Sequence, residues 1–520
     1  MTLTTYETTG PAGTLLRPGA QAHRTADALR ALGVLPRHRV ALHASNSPAF
    51  VAVLLGLMHL GAGVVLVDHL RSPRSAAAAA ARAGADRLIH EGPPSQEWSG
   101  PVPSLSLDAP ALRGALLDEE GPARSPAPIP GTTPGETAPA RMPGTPEPWT
   151  AAAAEVPPVP VEVPPLTLDA WARRDDALIA WSSGSTGEPK AIVRSGHSVL
   201  ANTRRTVERM GYRDDDVLAP LLPFSHQYGF SLVLLAHLSG CRLLVTPYRR
   251  LDRALDTVAA HRATVVDATP SVHRSLLRLA ELRPERVEEL RSVRLWCTGG
   301  GPLDTALAHD FRATMGRPLL DGYGSTELGN VALAGPDAPE DCLPLPGVQV
   351  SVRDPAGRPL PPGEPGEVWV RTPDTTVGLL DADGTTVRPP GDGDFRTHDL
   401  GVLDARGGLR VLGRMSAVTR HGYTLYPAAL ARRAERCGGP VHVVAVRHGD
   451  RETRLVFVVE DPLRRSPAAW AGDFRKVLEP YELPNLVLVL DAFPLSSNGK
   501  TDVSRLEERA RRALAKGEQT

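Results

Sequence analysis

Lysine is nearly absent from this chain. The four lysines among its 58 basic side chains are Lys190, Lys476, Lys500 and Lys516. A lysine inside a motif therefore indicates a chemical requirement, because arginine is the default elsewhere. An excess of charge is also lacking, since the 520 residues carry a net charge of -1. That balance gives no bulk attraction to nucleic acid or to an anionic membrane, so we predict neither as a partner.

Cysteines are few. Cys241, Cys297, Cys342 and Cys437 do not pair at metal-binding spacing. A chain of this length can bury a core large enough to fold without disulfides. The opening segment MTLTTYETTG is neither basic nor apolar, so it does not resemble a signal peptide. We therefore predict reduced thiols and a cytoplasmic location.

Long apolar runs are rare as well. The longest apolar stretch, Ala49–Val67, has the length of a membrane span, but His59 and the triplet Gly61-Ala62-Gly63 interrupt it. Glycines at that point favour a helix, a tight turn and then a buried strand at Val64–Val67. We predict no membrane span.

Helical and short apolar patterns alternate along the chain, which is typical of an α/β fold with a mostly parallel sheet. We predict a large N-terminal domain, residues 1–414, of α/β subdomains with a β-rich part from Val348, and a small mobile α+β domain, residues 415–520. Residues 101–165 hold 17 of the 51 prolines and predict a poorly ordered or extended surface insertion. Predicted helices are Ala22–Leu32, Ser75–Ala85 and one from Pro467, and predicted strands include Val40–His43, Ala177–Trp181, Val217–Ala219, Arg242–Val245, Ala263–Val266, Val293–Thr298, Val348–Arg353, Glu367–Arg371, Val402–Asp404, Leu409–Leu412, Val441–Val446, Leu455–Val459 and Leu486–Leu490.

The most specific motif is the segment LIAWSSGSTGEPK at residues 178–190. Small residues let backbone N–H groups approach phosphate oxygens, hydroxyls add donors, and Lys190 supplies a point charge. The spacing differs from the Walker pattern, because its glycines are too close and Lys190 precedes Ala191. A flexible Ser/Gly loop is the alternative, but the Pro-Lys ending favours phosphate binding. The candidate phosphate ligands are Ser182, Ser183, Gly184, Ser185, Thr186, Gly187 and Lys190.

The segment SSGSTGEPK resembles the phosphate loop of the ANL superfamily of adenylate-forming enzymes, which contains acyl-CoA synthetases, aryl-acid ligases, amino-acid adenylation domains and luciferase. The resemblance extends from about residue 25 to 505, with 92–170 poorly matched. It implies that the protein uses ATP and Mg²⁺ to activate a carboxylic acid as its acyl-AMP.

Two further segments resemble nucleotide-binding motifs of this superfamily. In DGYGSTE, residues 321–327, a Tyr can stack on adenine, a Thr can bond a phosphate oxygen and a Glu can hold Mg²⁺. The resemblance gives these roles to Tyr323, Thr326 and Glu327; alone, the segment could be a strand-ending turn with a capping Thr. Upstream, Gly299, Gly300 and Gly301 end a strand where the superfamily places adenine, and a plain tight turn is the alternative.

The segment THDLG, residues 397–401, resembles the superfamily's TGDLG motif, with His398 in place of the usual Gly. Its carboxylate, Asp399, would bind the ribose hydroxyls, as carboxylates do in other nucleotide folds. A solvated turn carboxylate is the weaker alternative. Arg414 would lie near the ribose and the phosphate. Ser416 stands at the hinge, where the superfamily has Asp or Lys. Arg420 then replaces a lysine of the superfamily, and Gly422 matches.

The segment PLSSNGKTD, residues 494–502, resembles the loop that carries the superfamily's catalytic lysine. Lys500 would bridge the substrate carboxylate and the α-phosphate, and so neutralise charge that repels the attacking oxygen. A solvated surface lysine is the alternative. In LPFSHQYG, residues 222–229, His226 is the candidate gate of the acyl pocket, although a lone His is often a core residue.

The acyl pocket candidates are His226, Phe230, Asp267, Ser271 and Gly322. Asp267 could meet a polar or amino substituent on the acid, which would argue against a plain fatty acid. It could equally cap the helix that follows it. The pattern leaves aryl, amino-aryl and fatty acids open.

The resemblance implies two half-reactions. The acid and ATP first give acyl-AMP and pyrophosphate; the small domain then rotates about Ser416, and a thiol displaces AMP. The thiol would belong to CoA or to the phosphopantetheine arm of a separate carrier protein. An amine or another small nucleophile is the alternative acceptor. A second alternative is a degenerate nucleotide-binding protein, for which His398 and Ser416 are the hints.

Overall fold

The computed structural model describes residues 13–19, 21–93, 98, 100–116, 166–182, 190–381, 384–387, 393–415, 418–420, 423–448, 452–478, 482–496 and 499–517. The helices are α1 (Ala22–Ala31), α2 (Pro48–Leu60), α3 (Pro73–Arg82), α4 (Pro110–Leu116), α5 (Asp169–Ala172), α6 (Gly196–Met210), α7 (Gln227–Ser239), α8 (Leu251–Ala260), α9 (Pro270–Leu282), α10 (Glu285–Glu289), α11 (Thr305–Met315), α12 (Pro427–Ala434), α13 (Pro467–Phe474) and α14 (Val503–Gly517).

The strands are β1 (Thr14–Leu16), β2 (Arg39–His43), β3 (Gly63–Leu66), β4 (Arg87–His90), β5 (Ser104–Ser106), β6 (Leu178–Ser182), β7 (Lys190–Arg194), β8 (Val217–Pro220), β9 (Arg242–Val245), β10 (Val265–Ala268), β11 (Leu295–Gly299), β12 (Leu319–Ser325), β13 (Gly329–Gly335), β14 (Ala338–Pro344), β15 (Gln349–Arg353), β16 (Gly366–Arg371), β17 (Gly378–Leu380), β18 (Thr386–Val387), β19 (Phe395–Leu403), β20 (Leu409–Arg414), β21 (Val418–Arg420), β22 (Tyr423–Leu425), β23 (Val441–His448), β24 (Glu452–Glu460) and β25 (Leu486–Leu490).

The first sheet has the strand order β1-β9-β8-β10-β11-β12-β13-β14. Strands β9 to β12 run parallel, and β1, β13 and β14 are antiparallel to their neighbours. Alternate residues of β10 enter different cores: Val265 belongs to one buried cluster and Val266 to another. Both faces of the parallel strands are therefore covered, as the continuous apolar character of these strands requires.

The second sheet has the order β18-β17-β7-β6-β3-β2-β4-β5, and it is parallel from β6 to β5. Val64 and Val65 again face different cores. A third, antiparallel sheet, β15-β16-β19-β20, places Val368 and Val370 in the main core. These sheets give the N-terminal part the α/β character with a β-rich section that the sequence predicts.

The C-terminal part contains the small sheet β23-β24-β25, in which β24 and β25 are parallel, and the hairpin β21–β22. Leu455 and Phe457 pack on one face of this sheet, and Val456 and Val458 pack on the other. The mixed α/β class is thereby confirmed. The boundary at residue 414/415 stays a prediction.

The apolar stretch 49–67 forms a helix, a turn and a strand, as predicted. Ser47 accepts a hydrogen bond from the Phe50 N–H at 3.1 Å, Pro48 opens helix α2, and Gly61 ends it with φ 78°. A left-handed φ at this position suits glycine. No helix in the described part of the chain is both long and apolar enough to cross a membrane.

The predicted insertion 101–165 was placed too early. Its first residues form β5, which pairs with β4, and helix α4. Leu105, Leu107 and Leu112 are buried in the main core, so burial of these leucines orders a segment whose prolines predicted irregular chain. Residues 117–165 lie outside the described residues.

Candidate active site

Three parallel strands of the first sheet end at one edge and bring the central motifs together. The register aligns Asp267 of β10 with Cys297 of β11, and Gly299 of β11 with Gly322 of β12. The carboxyl ends of parallel strands are the usual ligand-binding edge of such a sheet. Asp267, the glycine run 299–301 and the segment around Tyr323 therefore line one edge.

The glycine run receives side chains at close range. Gly300 has φ 77°, and a Cβ built there would lie 2.9 Å from Lys500 Cε. A Cβ at Gly299 would lie 3.3 Å from the Tyr228 ring. These contacts bring the C-terminal Lys500 and the N-terminal Tyr228 to the same turn, and Gly300 needs both its backbone conformation and its lack of a side chain.

Tyr323 and Asp399 meet across two sheets. The Tyr323 hydroxyl donates to Asp399 Oδ2 at 2.7 Å, and Arg414 Nη1 lies 3.1 Å from Asp399 Oδ1. Asp399 and Arg414 are partners in the β19–β20 register. The predicted ribose carboxylate, the predicted adenine tyrosine and the predicted arginine thus form one connected group.

Burial sets the electrostatics of Asp399. Desolvation raises the pKa of its carboxyl group, while Arg414 and the Tyr323 hydroxyl bond oppose that rise. The charge of Glu327 adds to the increase. A carboxylate in this state favours ligands that donate hydrogen bonds, such as the two hydroxyls of a ribose.

Lys500 reaches the same group of residues from a loop at the other end of the chain. Its pKa is lowered, first by desolvation and then by the charge of Arg414, while Asp399 acts in the opposite direction. The residue as a whole keeps solvent exposure, although its ammonium group is desolvated. This position suits a cation that neutralises an anionic substrate.

Thr326 and Glu327 occupy the turn between β12 and β13, so the strand-ending turn is real and no helix follows for Thr326 to cap. Behind them lies Arg194, which is fully buried and donates from Nη1 to the Thr326 carbonyl at 3.2 Å. Desolvation lowers the pKa of Arg194 to about 10, and the charges of Asp374 and Glu327 oppose this shift. The hydrogen bond to Thr326 ties a buried cation to the turn that carries Glu327.

The phosphate loop is described only at its two ends. Ser182 and Lys190 are register partners in the antiparallel pair β6–β7, and Lys190 is exposed. Ser183, Gly184, Ser185, Thr186 and Gly187 lie outside the described residues.

His226 stands directly before α7, partly buried, with Nε2 3.6 Å from Asp68 Oδ2. The first turn of α7 packs tightly on the preceding loop, because a Cβ at Gly229 would lie 2.1 Å from the Pro223 carbonyl oxygen. Phe230 is fully buried in the main core. Ser271 lies in the first turn of α9, partly exposed.

Asp267 is buried at the end of β10, and its side chain does not cap α9, whose N-cap is Thr269. Its Oδ1 accepts from the Tyr228 hydroxyl at 3.0 Å. The Cys297 thiol is a nearby weak donor, and Oδ2 has no partner of ordinary geometry among the described residues. Desolvation raises the pKa of the Asp267 carboxyl to about 7, and the Tyr228 and Cys297 contacts lower it.

His398 and Ser416 differ from the residues of the superfamily's motifs, and the structure describes the first of them. His398 adopts φ 57°, a left-handed conformation that suits the Gly found there in the superfamily. Its Nδ1 lies 3.1 Å from the buried carboxylate of Glu367. Ser416 and Gly422 lie outside the described residues. Arg420 is buried and donates to the Leu483 carbonyl at 2.6 Å, so it is built into the C-terminal part.

The residues present fit a nucleotide with Mg²⁺. The carboxylate of Asp399 offers acceptors for ribose hydroxyls. A Cβ built at Gly301 would meet no described residue within 4 Å, so space for a flat base exists at this end of the glycine run. No group of three or more His, Cys, Asp or Glu side chains in the described ranges could hold a metal alone. A single carboxylate such as Glu327 suits Mg²⁺, which takes its other ligands from phosphates and water.

Three residues that the structure brings to the site were not predicted from the sequence: Tyr228, Arg194 and Asp68. Tyr228 lies two residues after His226 in the segment LPFSHQYG, so its position in that motif could have indicated a site residue. Arg194 is a common residue type in this chain, and nothing in its immediate sequence marks it. Asp68 follows strand β3, and its place at a strand end was the available signal.

Comparison with known proteins places this site in a family. The model of the AMP-binding enzyme family matches residues 19–380, and the chain belongs to that family. A CoA ligase of Mycobacterium tuberculosis, named for a methyl-dioxo-octahydroindenyl propanoyl group, is 28% identical over 93% of this chain and 91% of its own. The 3-hydroxybenzoate–CoA ligase of Aromatoleum sp. is 27% identical over 94% and 90%. The ATP-bound structure of MatB from Rhodopseudomonas palustris has a TM-score of 0.74 at 24% identity, covering 94% of this chain and 92% of that one.

Proposed function

We propose that this protein is an AMP-forming ligase that activates a small carboxylic acid and transfers it to CoA. The observation that carries the proposal is that Lys500 lies against Gly300 and its charge interacts with Arg414 and Asp399, the residues that contact each other beside Tyr323. Family membership supports the use of ATP, and the relatives named above are CoA ligases.

In the first half-reaction, a carboxylate oxygen of the acid attacks the α-phosphorus of ATP, and pyrophosphate leaves. Lys500 neutralises the charge of the two anions that must approach each other. Asp399 holds the ribose, and the 182–190 segment binds the departing phosphates. Mg²⁺ held by Glu327 would supply further neutralisation of the phosphates. Most of the acceleration comes from positioning and from charge compensation, as in other phosphorus transfers.

In the second half-reaction, the thiol sulfur of CoA attacks the acyl carbonyl carbon. The bond between that carbon and the AMP oxygen breaks, AMP leaves, and the thiol proton passes to solvent or a nearby base. The resemblance to the superfamily places this step after a rotation of the C-terminal part, which withdraws Lys500. We propose CoA as the acceptor in preference to a carrier protein, because the names of the relatives specify CoA.

Asp267 narrows the substrate class. A buried carboxyl with one unpartnered oxygen is costly unless a ligand supplies a donor, since buried polar groups are normally paired. Gln227 Oε1 and His226 Nε2, on the two residues before Tyr228, are also buried and have no hydrogen-bond partner within the described ranges. We infer that the acid carries a hydroxyl or amino group that donates to Asp267, which excludes a plain fatty acid as the preferred substrate.

The test measures pyrophosphate release from Mg-ATP with matched acids. We expect 3-hydroxybenzoate or 3-aminobenzoate to be used on the order of ten times better than 3-methylbenzoate, whose substituent has similar size and no donor. The preference should shrink in Asp267→Asn. Equal use of all three acids, or best use of a long fatty acid, would contradict the substrate class. Mass spectrometry of the product with CoA or with a small amine then separates thioester from amide formation.

A further inference from the structure

A single carboxylate links the lysine loop to the N-terminal part of the protein. Glu460 ends strand β24, and its side chain is 9% exposed. Its Oε1 accepts from Arg278 Nη2 at 2.6 Å, and its Oε2 accepts from the Phe493 N–H at 2.6 Å. Arg278 lies on helix α9, which packs beside the first sheet, and Phe493 begins the loop that carries Lys500. The carboxylate thus connects an N-terminal helix to the catalytic loop.

The loop is braced, so a shift at its start reaches its end. Leu495 and Thr501 form an antiparallel bridge across it. The Ser496 N–H donates to the Lys500 carbonyl at 2.7 Å, and the Ser496 hydroxyl donates to the same oxygen at 2.8 Å. The position of Phe493 therefore governs where the Lys500 backbone lies.

Helix α9 holds the loop at a second point. Thr269, directly before the helix, donates from its hydroxyl to the Gly499 carbonyl at 3.0 Å. Arg278 binds Glu460 from the same helix, more than two turns further along. Both contacts exist only while the loop lies against α9, and Lys500 touches Gly300 in this arrangement.

We propose that Arg278 is a positioning residue that acts through Glu460 to keep Lys500 in the arrangement for the first half-reaction. The inference rests on the proposed function. Glu460 is almost fully buried, so loss of its arginine leaves a charge uncompensated in the docked arrangement and shifts the population away from it. Release of Lys500 for the second half-reaction has to break this ion pair.

The test separates the two half-reactions in Arg278→Ala. Acid-dependent pyrophosphate release reports the first, and thioester formation from pre-made acyl-AMP reports the second. We expect the first to fall roughly 3- to 10-fold and the second to stay unchanged or to rise. Arg278→Lys should restore part of the loss. The matched control is Arg283→Ala, an exposed arginine that follows the same helix and should change neither rate.

Two measurements distinguish a positioning role of Arg278 from a general loss of folding. Glu460→Gln keeps an acceptor oxygen for the Phe493 N–H but removes the charge that Arg278 binds, so Arg278→Ala should add little in that background. Amine labelling read by mass spectrometry should show Lys500 more reactive in Arg278→Ala, relative to the exposed Lys476 as internal reference.

Equal losses in both half-reactions, additive effects of the two substitutions, or unchanged Lys500 labelling would overturn the role of Arg278. A wild-type protein that releases no pyrophosphate with any acid would instead overturn the proposed function. The labelling comparison does not depend on turnover, so it still decides the position of Lys500 in that case.

Discussion

Replacement of Asp267 by Asn should change the pH dependence of stability in a defined direction. The carboxyl pKa is about 7 in the folded protein against an ordinary value of 3.8, mainly through desolvation. Because the folded state binds its proton more tightly than the unfolded state, the wild type loses stability as pH rises from 3.8 to 7. Asparagine does not titrate, so the variant lacks this loss.

The shift of about three pKa units corresponds to roughly 4 kcal/mol above pH 7. Asparagine adds a pH-independent cost of about 1–3 kcal/mol, because its NH₂ group stands where Oδ2 has no partner in the part of the chain that the structure describes. The variant should therefore be less stable than, or equal to, the wild type near pH 4.5 and more stable at pH 8. The free-energy difference between the two proteins should change by about 3 kcal/mol over that range.

Thermal unfolding at a series of pH values measures this change, and the pH-independent cost cancels in the comparison. Asp337→Asn, at an exposed position, is the control and should melt in parallel with the wild type. A difference between Asp267→Asn and the wild type that stays constant from pH 4.5 to 8 would refute the reasoning, because it would mean that Asp267 titrates normally in the fold.

Three further substitutions test the site. Tyr323→Phe removes the donor to Asp399 and should raise the KM for ATP about tenfold, a change of roughly 1.4 kcal/mol; an unchanged KM would contradict the role of this pair in ribose binding. His398→Gly should unfold at higher temperature than His398→Ala, by about 1 kcal/mol in stability, because φ 57° strains any residue with a Cβ; the reverse order would show that the strain is absent. Gly300→Ala should slow pyrophosphate release while ATP still binds, since the new Cβ meets Lys500 Cε at 2.9 Å; wild-type release would place Lys500 elsewhere during catalysis.

Much of the fold could be predicted, because the spacing of apolar residues and the glycines that end helices are signals local to a short stretch of sequence. Helix α2 is an example: its apolar residues, its N-cap and the left-handed glycine that ends it are all signals from residues close together in the sequence. Strands β9 and β25 have the predicted bounds, while β10 begins two residues later than predicted, because Ala263 and Thr264 are as apolar or β-favouring as the strand itself. Strand β5 and helix α4 were not predicted, because the prolines of this segment indicate irregular chain and its leucines alone do not show that they are buried.

The site was predictable only where a motif marks it. Tyr323, Asp399 and Lys500 were named from motifs, and the structure brings the three close together. Arg194 and Arg278 carry no such mark, since arginine is the common cation of this chain. The partner of Arg278, Glu460, lies 182 residues away, and only the folded chain brings such groups together. Burial of Asp267, which decides its charge, also depends on packing and not on its neighbours in sequence.

We propose that Lys500 is required for the activation of an acid by ATP. The most direct test measures acid-dependent pyrophosphate release from Mg-ATP in the wild type and in Lys500→Ala, with nucleotide binding measured in both. We predict release with at least one donor-bearing aryl acid, loss of that release in the variant, and retained ATP binding. Because the pKa of Lys500 is lowered and its ammonium form is needed, release should also decline with rising pH below the ordinary lysine range. Equal release in the two proteins, or none with any acid in the wild type, would contradict the account.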